Sequence, residues 1–85
     1  MTTSSGVAGK STVRVGPGKF QGIAVTTPPP YGKFSVHDCV DPGQASALNV
    51  IYPQNFASPD GTTVRFGIVV HTPHPGGVFT VVHST

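Results

Sequence analysis

The chain has 85 residues, of which 36% are hydrophobic and 9% charged, with a net charge of +2. That length predicts one domain, and so small a net charge argues against nucleic acid as a partner. The 11 Gly and 9 Pro break the hydrophobic residues into short clusters, a pattern of strands and turns rather than of disorder.

A domain of this size buries about 60–65% of the surface its unfolded chain exposes, and it usually needs a disulfide, a metal or a partner for further stability. Cys39 is the single cysteine, so neither an internal disulfide nor a cysteine-rich zinc site can form. Oligomerisation is then the expected source of extra burial. The scarcity of charge agrees, because such a surface suits a protein covered by its neighbours.

Residues 1–10 are small and polar, which predicts a flexible N-terminal arm that a partner would order. They hold no apolar run of the signal-peptide kind, and no segment approaches the roughly 20 apolar residues that cross a bilayer, so no membrane association is expected. Residues 11–85 are expected to form a single domain. Ser11–Val15 alternates, with Val13 and Val15 on one face. Gly16–Gly18 is a turn. Lys19–Thr27 reads as a strand apolar on both faces, with Phe20 and Ala24 on one and Ile23 and Val25 on the other, as suits a central or partner-facing strand. Pro28–Pro30 ends it, since three missing N–H groups cannot serve a ladder.

Gly32–Cys39 alternates again, placing Phe34 and Val36 inward and Lys33, Ser35 and His37 outward. Asp41–Ser46 is a turn or loop. Ala47–Pro53 is a strand with Leu48, Val50 and Tyr52 on one face, and Phe56 in the following loop is expected to tuck against the core edge. Thr62–Thr72 is the longest expected strand, with Val64, Phe66, Ile68 and Val70 sharing a face and Gly67 marking a bulge or bend. Val78–Ser84 closes the chain. Strands at this spacing predict an all-β fold: a small antiparallel β-sandwich or jelly-roll-like barrel of about six to eight strands.

The residues that could carry chemistry do not assemble into a recognisable set. His71 and His74 are spaced H-x-x-H across a proline, with His37 and His83 on other strands, which is not a zinc spacing. His37 shares a strand face with Cys39 at about 6–7 Å, too far for a catalytic thiol–imidazole bond. Asp38, Asp41 and Asp60 are the only acids. Asp41 and Asp60 read as turn residues, and Asp38, at a strand end, as a cap for turn amides. The sequence Gly9–Thr12 completes a P-loop pattern, but the first glycine of that pattern falls on Ser4 and no helix follows. No enzymatic activity, metal or cofactor is expected.

The stretches STVRVGPGKFQGIAV (11–25), GKFSVHD (32–38), ALNVIYPQ (47–54), TVRFGIVVHT (63–72) and GGVFTVVHS (76–84) resemble a group of small virion proteins of tailed bacteriophages. The Pro28–Tyr31 loop departs from that group. The resemblance implies a β-sandwich subunit on the virion, favouring the capsid surface. It would act as a cement or decoration protein, as a homo-oligomer with a trimer favoured, and its partners would be the major capsid protein or other virion proteins. A neck, tail or fibre-attachment position is the alternative within the same class. A small carbohydrate- or receptor-binding module, with Tyr31, Tyr52 and Phe56 as an aromatic platform, is the alternative outside it. The candidate assembly-interface residues are Lys10, Arg14 and Lys19, a loose basic group able to meet an acidic surface, together with Tyr31, His71 and His74. Imidazoles facing a neighbour would make attachment pH-sensitive near their usual pKa of about 6.5.

Overall fold

The computed structural model describes residues 2–8, 10–52, 61–74 and 76–84. They form eight strands: β1 Thr2–Ala8, β2 Ser11–Val15, β3 Gly18–Thr27, β4 Ser35–His37, β5 Val50–Tyr52, β6 Thr62–Val64, β7 Gly67–His71 and β8 Val78–Ser84. Short 3-10 turns at Pro30–Gly32 and Pro42–Gln44 complete the elements. One sheet has the order β1-β8-β3-β6 and the other β2-β7-β4-β5, with every pairing antiparallel. The fold is the expected all-β sandwich.

The core draws equally on both sheets. Phe20, Val64, Phe79 and Val81 come from the first, and Val36, Ile51, Ile68 and Val70 from the second, each no more than 3% exposed. In β8 the period of two is plain: Phe79, Val81 and His83 are buried, while Val78, Thr80, Val82 and Ser84 are only partly so. Aromatic rings tie the layers together. Phe34 packs 4.9 Å from Phe79 and stacks on Tyr52 at 5.7 Å, and Tyr52 meets the edge of Phe20 at 6.2 Å. Such pairs add to area burial, which suits a core this small.

Three sequence expectations need correction. Residues 2–8 are no arm in this fold but edge strand β1, with Thr2 opposite His83 and Ala8 opposite Val78. Their small polar side chains hide the strand in composition, because the backbone and β8 supply the pairing. Second, the long Thr62–Thr72 strand is two strands in different sheets, so β3 is the longest. Val64 and Ile68 keep their expected inward phase, but Phe66, at the crossing, is turned out to 62% exposure. Third, bulges shift the phase of two strands. An extra residue, Gln21, between Phe20 and Gly22 lets both Phe20 and Ile23 reach the core and leaves Ala24 outside. A similar shift opposite β4 lets Ile51 join Tyr52 at the core and leaves Val50 off it, and Leu48 lies before β5 at 98% exposure. Phe56 falls outside the described residues.

The two sheets differ on their outer faces. β7 is buried on both sides from Gly67 to Val70, because the 38–49 segment folds over the second sheet. Thr12 Oγ1 donates to the Val40 carbonyl at 2.9 Å across that cover. His37, expected outside, is therefore buried at 5% exposure.

Candidate interaction surfaces

The antiparallel pairing of β2 with β7 sorts the six candidate residues into two poles of the sandwich, since Ser11 faces Val70 and Val15 faces Gly67. Lys10, Tyr31, His71 and His74 belong to one pole, and Arg14 and Lys19 to the other.

At the first pole, Pro28–Pro30 leaves β3 in an extended path and Pro29 is buried. Gly77, at φ +91°, makes this possible: a Cβ there would stand 2.9 Å from the Pro29 side chain. Tyr31 turns away at φ +61°, remains 81% exposed, and places its ring 4.9 Å from that of exposed His74. His71, the last residue of β7, stands edge-on to His37 at 5.8 Å. Burial pushes the His71 pKa below the usual histidine value, and the neighbouring His37 and Lys10 push it the same way. His37 itself is held by Ser35 Oγ at Nε2 and Asn49 Oδ1 at Nδ1, both at 2.8 Å. Among the described residues, no three histidine, cysteine or acidic side chains are grouped to hold a metal ion.

The second pole is organised by Asp38, as its strand-end position suggested. Its carboxylate accepts the N–H groups of Arg65 at 3.0 and 3.1 Å, Phe66 at 2.9 Å and Gly67 at 3.3 Å. These amides line the crossing between sheets, where no ladder can satisfy them. The Gly16 N–H donates to the Phe66 carbonyl at 2.8 Å and fixes the other side. Gly67 is required here, because a Cβ would collide with the Arg14 carbonyl oxygen and stand 2.9 Å from that of Cys39. Arg14 is half-buried and donates from its guanidinium to the Pro17 carbonyl at 2.8 and 3.2 Å, which ties it to the β2–β3 turn. Lys19 is exposed, opposite Thr63 of β6.

Cys39 and His83 are each tied into the fold by a hydrogen bond. Cys39 is buried, and its Sγ donates to the Asp41 carbonyl at 3.4 Å. Burial raises the thiol pKa above its ordinary value, with Asp38 and Asp41 adding to the rise and the hydrogen bond opposing it. A reactive cysteine needs the opposite shift. His83 meets Ser4 Oγ at 2.8 Å through Nε2, joining β8 to β1, while its buried Nδ1 has no hydrogen-bond partner among the described residues. Burial, and after it Arg14, lowers the His83 pKa.

Sequence reasoning missed the burial of His37 and His83 and the exposure of Leu48 and Phe66. The signal for Phe66 was present in the Arg65–Phe66–Gly67 order, since a glycine inside a strand marks a place where the chain departs from its sheet. No known family, curated protein or solved structure matches the chain.

Proposed function

We propose that the protein is a structural component of a bacteriophage virion, without enzymatic activity, that decorates or cements the capsid by oligomeric binding to the shell. The observation that carries this reading is a charge-poor β-sandwich that leaves Leu48, Val15 and Phe66 strongly exposed, on a chain whose strand sequences resemble those virion proteins. A subunit present in many copies needs only weak individual contacts, because multivalency raises the effective affinity. A trimer is the favoured assembly, and the neck, tail or fibre-attachment position is the other place in the particle. Labelling purified particles with an antibody to the protein tests the reading. Label over the heads supports a capsid role, label at the tail moves the protein to that position, and unlabelled particles overturn the virion assignment.

A second reading rests on the first pole. Tyr31 and His74 make an exposed ring pair of the kind that stacks on a sugar face. Of the remaining platform candidates, Tyr52 is packed among the core aromatics and Phe56 lies outside the described residues. Binding to a glycan array that is lost in Tyr31→Ala would favour this reading, and an array without hits would remove it.

A further inference from the structure

Of the six large hydrophobic side chains exposed among the described residues, Tyr31 is at the first pole and Val25 on β3, and the other four gather at the second pole. Leu48 is 98% exposed, Val15 74%, Phe66 62% and Val40 40%. Phe66 forms a ridge between two clefts. One, of about 380 Å³, is walled by Cys39, Val40 and Gln44, and the other, of about 360 Å³, by Leu48, Ile51 and Arg65. Val15 stands beside the ridge, because Val15 pairs with Gly67 and the next residue, Gly16, bonds to the Phe66 carbonyl.

These side chains are held out on hydrogen-bonded turns. Phe66 is fixed from both sides by Asp38 and Gly16. Leu48 sits on a turn in which its own N–H donates to Ser46 Oγ at 3.2 Å. In the same turn the Ser46 N–H donates to Asn49 Oδ1, and Asn49 Nδ2 donates to the Gln44 carbonyl, both at 2.9 Å. An apolar surface fixed in advance loses little entropy on binding.

Charge selects the occupant. Arg65 is exposed at the second cleft and Lys19 on the neighbouring cleft beside Val15, while among the described residues the one carboxylate lining the two Phe66 clefts, that of Asp38, is turned onto backbone amides. The chain has three acids in all. Of these Asp41 also accepts a backbone N–H, that of Gly43 at 2.8 Å. A second copy seated on this pole in a twofold contact would bring its own Arg65 and Lys19 against these cations, with few carboxylates to offset them.

We infer that the Phe66 ridge and its two clefts are a docking surface for a different protein, one presenting apolar side chains with carboxylates beside them. The inference does not depend on the virion reading; within a virion, the segment would belong to the shell protein.

The test is an NMR titration of the isotopically labelled protein with two short synthetic peptides, one alternating leucine with glutamate and one alternating leucine with lysine. The glutamate peptide is expected to give saturable shifts at the amides of Val15, Val40, Leu48 and Phe66, and the lysine peptide none. Phe66→Ser and Leu48→Ser should each weaken binding about tenfold or more, as loss of a central apolar anchor does. Arg65→Glu should weaken it and flatten its dependence on salt. These side chains are exposed, so the variants should keep the wild-type spectrum elsewhere. Thr26→Glu, on the other sheet, should bind as the wild type does. Equal binding of both peptides, shifts centred elsewhere, or no saturable shift overturns the inference. Concentration-dependent shifts at the same amides without peptide would assign the surface to a second copy instead.

Discussion

Removing the Asp38 carboxylate tests how the two sheets are joined. Its four hydrogen-bond contacts reach the amides of Arg65, Phe66 and Gly67 at the crossing from β6 to β7. A hydrogen bond to a charged acceptor contributes about 1.5–3 kcal/mol. Arg65 and Phe66 are exposed, so their amides can turn to water, whereas Gly67 is buried and its N–H cannot readily do so. Counting Gly67 fully and the other two at a fraction, Asp38→Ala should cost about 2–4 kcal/mol. In a domain of this size each kcal/mol moves Tm by about 4–8 °C, so the variant should melt roughly 8–32 °C lower. Asp38→Asn keeps an oxygen in the position that all three amides use and loses the charge, and should cost about 1 kcal/mol. Denaturant titration with m-values compared across the three proteins measures both. An alanine variant within about 0.5 kcal/mol of wild type would refute the role given to this carboxylate, since that is the scatter of ordinary surface substitutions. An asparagine variant as damaged as the alanine one would refute the reasoning from charge.

Gly67→Ala should destabilise by about 1–3 kcal/mol, read by the same titration, because its methyl group would press on the Arg14 and Cys39 carbonyls. Phe79→Ala should cost about 3–5 kcal/mol, as it removes a fully buried ring that meets Phe34. Stability should fall with acidification. The pKa values of His71 and His83 lie below the unfolded value in the folded protein, so below about pH 6.5 the unfolded chain binds more protons. Their contribution is whole above that pH and is lost as the pH falls toward the lowered values. A denaturant midpoint that stays level or rises from neutral to mildly acidic pH would contradict this, and His83→Gln should flatten the dependence. Sedimentation of the isolated protein should give a trimer, and a monomer at high concentration would count against the favoured assembly.

Where side-chain alternation and the backbone path coincide, the fold was legible. Ser11–Val15 and Val78–Ser84 are strands β2 and β8 to the residue. Asp38 was legible as a cap because a carboxylate at a strand end has amides to serve. What was hidden depends on the partner strand rather than on the strand itself. β1 is written mostly in Thr, Ser and Gly, with Val7 alone packed on the core, and exists through its pairing with β8. The bulge at Gln21 changes which face Ile23 and Ala24 take, and nothing in Lys19–Thr27 alone announces it. The same holds for the interaction surface. Lys19 was visible as a loose cation, but Phe66 and Leu48 looked like core residues because period two is blind to a chain that leaves one sheet for another, as at Phe66, or that is still in a turn, as at Leu48. His37 looked exposed because the 38–49 cover is set by tertiary contacts such as that from Thr12 to Val40.

Cross-linking mass spectrometry of intact, purified phage particles tests the proposed function most directly. The protein should be found in the particles, with Lys19 linked to acidic residues of the major shell protein by a lysine-to-carboxylate reagent. Particles that contain none of the protein, or links that run only to proteins outside the head, would contradict a capsid-binding role.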